Sequence, residues 1–127
     1  MAVYSAGEVY LPAKAAGLSG FAATINMQSF EQLLEQFSRY FNIRHFPEEP
    51  ATLYEPNEYF LTIGGKRIRP VLCLMGNELF EDISDDAWHV GTAIELFHNF
   101  TLIHDDIMDK APLRRGKETV HYKYGEN

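Results

Sequence analysis

The sequence predicts an all-α fold, on three observations. Apolar residues recur at helical spacing along nearly the whole chain, no apolar–polar alternation persists, and serines with cap chemistry stand just ahead of two of the periodic stretches. Neither internal repeats nor low-complexity tracts interrupt this pattern.

The first helix is expected just after Met27. Phe30, Leu33, Leu34, Phe37, Tyr40 and Phe41 form one apolar stripe at i, i+3, i+4, i+7, i+10 and i+11. Ser29 is placed to cap it, with Gln32 reaching back as the capping-box partner. Pro47 and Pro50 then break the chain. A second helix is expected from Leu53 to Ile63, with Pro56 in its first turn, ending at Gly64–Gly65. Arg67 to Phe80 reads as a largely apolar third helix with Pro70 near its start. Ser84 caps a fourth, from about Asp85 to Asp109, where Asp85 and Asp86 suit the positive end of the dipole. Val90, Ala93, Ile94, Phe97, Thr101 and His104 mark one continuous side of that helix. Pro112 and Gly116 mark a loop, after which Thr119 to Tyr124 opens a further helix. Residues 1–26 show little amphipathic pattern and are expected to be disordered or a non-native extension. Met27 is then a sensible alternative start, and residues 27–127 form the helical part.

Composition narrows the class. A hydrophobic fraction of 46% supports a core and not disorder. A net charge of −7 argues against a general nucleic-acid or anionic-membrane binder. No apolar run approaches the roughly 20 residues of a transmembrane helix, and the N-terminus makes a poor signal peptide. The single Cys73 cannot form an intrachain disulfide, which fits a reducing cytoplasm. Flanked by Val71, Leu72, Leu74 and Met75, it is expected to be a buried structural thiol.

The most informative segment is Asp105-Asp-Ile-Met-Asp109. Asp105 and Asp109 stand four apart, so on a helix both carboxylates leave one face, one turn above each other. Such like-charged pairs weaken a helix by a few tenths of a kcal/mol, about 0.2–0.5. A divalent cation offsets that repulsion, and spaced monodentate carboxylates suit Mg2+, which shares its shell with waters and substrate phosphates. By itself the cluster reads more readily as a solvated acidic helix end. Its company decides. Gly64-Gly-Lys-Arg-Ile-Arg-Pro70 places Lys66, Arg67 and Arg69 directly after two glycines, and Arg114-Arg-Gly-Lys117 follows the aspartates. Arg and Lys are the usual grips on phosphate oxygens. Together the clusters read as two diphosphate grips, one through basic side chains and one through Mg2+.

GGKRIRP, His98, DDIMD and RRGK, in this order and spacing, resemble the trans-isoprenyl diphosphate synthases, from about Leu53 to the C-terminus. The resemblance implies an isoprenoid-synthase helical bundle, partial here, and a prenyltransferase that joins isopentenyl diphosphate to an allylic prenyl diphosphate. On that resemblance Lys66, Arg69 and His98 hold isopentenyl diphosphate, joined by Arg115. Asp105 and Asp109 bind Mg2+ bridging to the allylic diphosphate, which Arg114 also contacts. Asp106 serves as a weaker ligand or supports the others from behind, and the role of Arg67 stays open. Mg2+ stabilises the leaving diphosphate while an apolar wall keeps water from the carbocation. Phe100 and Thr101 lie one turn before the aspartates, where a bulky ring in this family shortens the product. Phe100 therefore points to a farnesyl or geranylgeranyl product, although ordinary core packing explains it equally. The resemblance also implies a homodimer.

The departure from the family matters as much. Its catalytic members carry a second aspartate-rich motif, and none follows RRGK here. The expectation is an N-terminal portion that is inactive alone. Two other readings stay open: a non-catalytic partner that pairs through exposed apolar helix faces, and a terpene cyclase, against which GGKRIRP argues. His104 is expected to pack or to act from behind the aspartates, while His45, His89 and His121 carry no signal. Trp88 and Tyr54 are expected to be packing residues.

Overall fold

The computed structural model describes residues 8–9 and 25–125. Five helices make up most of it: α1 (Phe30–Phe41), α2 (Ala51–Thr62), α3 (Ile68–Glu78), α4 (Asp85–Met108) and the short α5 (Val120–Tyr124). The all-α expectation holds. The expectation for residues 1–26 falls outside the described residues, apart from a two-residue antiparallel ladder pairing β1 (Glu8–Val9) with β2 (Ile25–Asn26).

The helix ends follow local chemistry. Ser29 accepts from Gln32 N and the Gln32 side chain accepts from Ser29 N, closing the capping box that starts α1. Ser84 accepts from Ala87 N at the start of α4. α2 opens earlier than its apolar pattern suggested, because the Pro50 carbonyl accepts from Leu53 N and Tyr54 N. Pro56 consequently stands in the second turn and not the first, where it forgoes one main-chain bond. α3 begins at Ile68, one residue late, since Arg67 is held in the left-handed region at φ 51°.

The core lies where α1 packs on α3 and α3 on α4. Leu33, Phe37 and Phe41 of α1 meet Val71 and Leu74 of α3 and Ala87 of α4. Phe37 stacks on Trp88 with ring centroids 6.3 Å apart, and Tyr54 stacks on Phe46, so both aromatics pack as expected. At Gly91 a Cβ would stand 3.4 Å from the Phe37 ring and 3.5 Å from Pro70, so the missing side chain lets α3 and α4 approach. Cys73 is half-buried, not buried.

α4 turns an unexpected face inward. Its buried residues are Ala87, Gly91, Glu95, Asn99 and Asp106, a largely polar stripe. On the side marked by apolar periodicity, Val90 and Phe97 are exposed instead. Polar and apolar residues are mixed all round this helix, so it offers little amphipathic cue and its neighbours choose the face.

The loop after α4 is a hairpin. β3 (Leu113–Arg114) pairs with β4 (Lys117–Glu118) across a two-residue turn with Arg115 at φ 52° and Gly116 at φ 79°. Positive φ at both central residues is the turn geometry whose twist matches paired strands. The hairpin docks on α2: Lys117 Nζ donates to Thr62 O at 3.0 Å, and Tyr59 Oη donates to Glu118 O at 2.9 Å. Buried Thr119 locks its base by donating to Ala111 O at 2.7 Å.

Candidate functional site

The Gly64–Pro70 segment, the middle of α4 and the hairpin tip converge on one cleft of about 470 Å3. It is lined by Gly65, Lys66, Arg67, Ile68, Arg69, Glu95, His98, Asn99 and Arg115. Four of the residues singled out as substrate ligands are thus brought together: Lys66, Arg69, His98 and Arg115.

Gly65 explains how the parts fit so tightly. A Cβ there would stand 3.2 Å from Arg115 Nη1, 3.6 Å from Arg67 Nη1 and 3.6 Å from Glu95 Oε1. Two guanidinium groups therefore lie against bare backbone. Arg67 is the structural one of the pair: it bonds buried Glu95 at 2.5 Å and its guanidinium lies 4.6 Å from the centroid of the Phe41 ring. That pair holds the loop on α4 and neutralises a carboxylate that would otherwise repel an anion from the cleft. Lys66, Arg69 and Arg115 remain exposed, with their charge available.

Arg69 Nη1 lies 3.1 Å from His98 Nε2. A guanidinium only donates, so Nε2 must accept and the imidazole is neutral, with its proton on Nδ1. Burial, then the charge of Arg69, lowers the His98 pKa below its ordinary 6.5; Glu95 opposes this, and Arg115 and Arg114 add to it. Three cations gathered around a neutral imidazole make a place that an anion would stabilise.

The aspartates divide by direction. Asp106 is buried and takes Arg114 in a bidentate grip, Nε at 2.7 Å and Nη2 at 2.8 Å. The bond from Asp106 raises the Arg114 pKa above its ordinary value. Asp106 is thus engaged in holding an arginine. Asp105, on the last turn of α4, and Asp109, its C-cap, are exposed, and among the described residues neither has an ion-pair partner. No group of three or more metal-ligating side chains occurs among the described residues. Two carboxylates one turn apart nevertheless fit Mg2+, which takes its remaining positions from water and substrate phosphates.

The hairpin joins the two halves. Successive residues of the hairpin reach opposite ways, Arg114 to Asp106 and Arg115 to Gly65. Phe100 is exposed, stacked on Phe97 and tilted against His104, and with Leu96 and Ile103 it lines a second cavity of about 260 Å3 against Phe46, Asn57, Phe60 and Leu61 of the α2 side. Thr101 is half-buried and donates to His98 O, turned back on its own helix. His104 bonds Phe100 O in the same way and faces solvent. Glu95 and Asn99 escaped the sequence reading; their spacing of four, with Gly91 before them, is the one signal that marks their shared face.

The sequence pattern of polyprenyl synthetases matches residues 50–127. A geranylgeranyl diphosphate synthase of Sulfolobus acidocaldarius is 49% identical over 73 residues, covering 58% of this chain and 22% of that protein. A short chain isoprenyl diphosphate synthase of Methanothermobacter thermautotrophicus is 49% identical over 77 residues, 61% of this chain and 24% of that protein. The crystal structure of a geranylgeranyl pyrophosphate synthase superposes with a TM-score of 0.73 at 48% identity, covering 80% of this chain and 31% of that one. The chain therefore spans about a quarter of the length of the curated relatives it matches.

Proposed function

Because the chain belongs to the polyprenyl synthetase family, we propose that it supplies the diphosphate-binding half of a short-chain isoprenyl diphosphate synthase. The observation that carries this is the hairpin, which sets Arg115 in the basic cleft and Arg114 on the aspartate cluster. Lys66, Arg69, His98 and Arg115 hold the diphosphate of isopentenyl diphosphate, three cations and an imidazole around one anion. Asp105 and Asp109 would hold Mg2+ for the allylic diphosphate, and Arg114 would add a contact there. When bound, the metal supplies charge stabilisation to the departing diphosphate. The carbon–oxygen bond of the allylic substrate then breaks. The double bond of isopentenyl diphosphate attacks the cation so formed, a carbon–carbon bond closes, and a proton passes to the released diphosphate.

The apolar cavity beside Phe100 supports a short product, because a ring at that wall limits the hydrocarbon it can accept. Relatives named as geranylgeranyl diphosphate synthases agree with this length. With two free carboxylates as its whole metal grip among the described residues, the chain alone is expected to release no product. Exposed Val90, Phe97 and Met108 on α4 favour pairing with a second copy. Among the described residues no helix is long and apolar enough to cross a membrane.

Calorimetry tests the division of labour. Isopentenyl diphosphate should bind without metal, and an allylic diphosphate should bind more tightly with Mg2+. Asp105→Asn with Asp109→Asn should remove the Mg2+ effect and leave the metal-free binding unchanged. An undiminished Mg2+ effect in that double variant would remove both carboxylates from the metal site.

A further inference from the structure

Three polar residues lie along the buried side of α4: Glu95, Asn99 and Asp106. Two have cationic partners delivered by loops, Arg67 for Glu95 and Arg114 for Asp106. Asn99 has none. It is 6% exposed, and its Nδ2 is buried without a hydrogen-bond partner among the described residues. A buried donor with no acceptor costs stability that a leucine of similar size would not. The residue thus stands where folding alone would not put it.

Its position suggests what completes it. Asn99 belongs to the walls of both cavities, the basic cleft and the apolar cavity beside Phe100. A molecule with an anionic head in the first and a short hydrocarbon in the second passes Asn99 where the two parts join. We propose that Asn99 is a further ligand contact of the cleft, its carboxamide donating to an oxygen of the bound diphosphate. The terminal torsion of asparagine is broad, so the N–H groups can turn to the ligand without displacing the helix. An amide suits this wall better than a cation. A neutral donor can stay buried while the cleft is empty, whereas a charge in the same place would need a permanent partner. Low local polarity then strengthens the bond once an acceptor arrives.

This rests on the diphosphate reading, and the two can fail separately. The probe is inorganic pyrophosphate, titrated without divalent metal into the chain and into three variants, with thermal melts alongside. The unsubstituted chain should bind, and Arg69→Gln should lose most of that binding. Asn99→Leu should melt no lower than the parent yet bind about ten- to a hundredfold more weakly, the loss of one hydrogen bond to a charged acceptor. Asn99→Asp keeps the shape, adds a like charge and should bind weaker still. Unchanged affinity in Asn99→Leu, or parental affinity in Asn99→Asp, overturns the role of Asn99 while leaving the diphosphate site standing. No binding by the unsubstituted chain overturns both.

Discussion

Replacing Arg114 with methionine tests whether one ion pair ties the hairpin to the site. The change keeps most of the stem and removes both charge-assisted bonds to Asp106, at 2.7 and 2.8 Å. The Asp106 side chain is 5% exposed and Arg114 23%, so the abandoned carboxylate cannot recover its hydration. Breaking a buried pair from one side costs roughly 3–5 kcal/mol, and the partial exposure of Arg114 favours the lower end, about 3 kcal/mol. A domain of this size loses about 4 °C of melting temperature per kcal/mol, which makes a drop of roughly 12 °C. Combining Arg114→Met with Asp106→Leu should restore most of it, since apolar residues replacing both partners leave no orphaned charge. Thermal unfolding followed by circular dichroism at neutral pH gives all three values. A single variant that melts within 3 °C of the parent, or a double variant no better than the single, would show that this ion pair does not hold the hairpin. The site should register the loss as well. With the hairpin released from Asp106, Arg115 is no longer held against Gly65, and pyrophosphate affinity should fall about tenfold, the equivalent of 1.4 kcal/mol.

His98 should titrate below 6.5 in the free chain, seen by NMR of its ring protons, because burial and Arg69 disfavour its charged form. The sign for stability follows. The unfolded chain binds this proton more readily, so the contribution is full above pH 6.5 and is lost as pH falls through the lower folded value. Bound pyrophosphate brings negative charge and should move the midpoint up; a free-chain midpoint at or above 6.5 contradicts the cation crowding. Gly65→Ala should push the Arg115 guanidinium aside, since the new methyl would lie 3.2 Å from its Nη1. Arg115 is a flexible side chain, so the melting temperature should change little while pyrophosphate affinity drops several-fold, and unchanged affinity would show that the close approach is dispensable.

Much of this molecule is written locally. The Ser29–Gln32 box, the Ser84 cap and the apolar stripe of α1 act within a turn or two, and they appear where spacing placed them. The chemistry of the site was legible for the same reason: cations after two glycines and carboxylates four apart declare themselves without knowledge of the fold. What no local rule could assign was which group meets which. DDIMD offers three aspartates, yet Asp106 alone turns inward, because only its face of α4 meets the hairpin. KRIR offers three cations, yet Arg67 is consumed by Glu95, 28 residues away, leaving Lys66 and Arg69 for a ligand. α4 mixes polar and apolar residues all round, so its period could not say that Glu95 and Asn99 face the interior while Phe97 faces out. Direction on a helix is free until a neighbour packs against it. Periodicity and caps therefore determined the elements, and contacts between residues distant in sequence decided the pairing of charges.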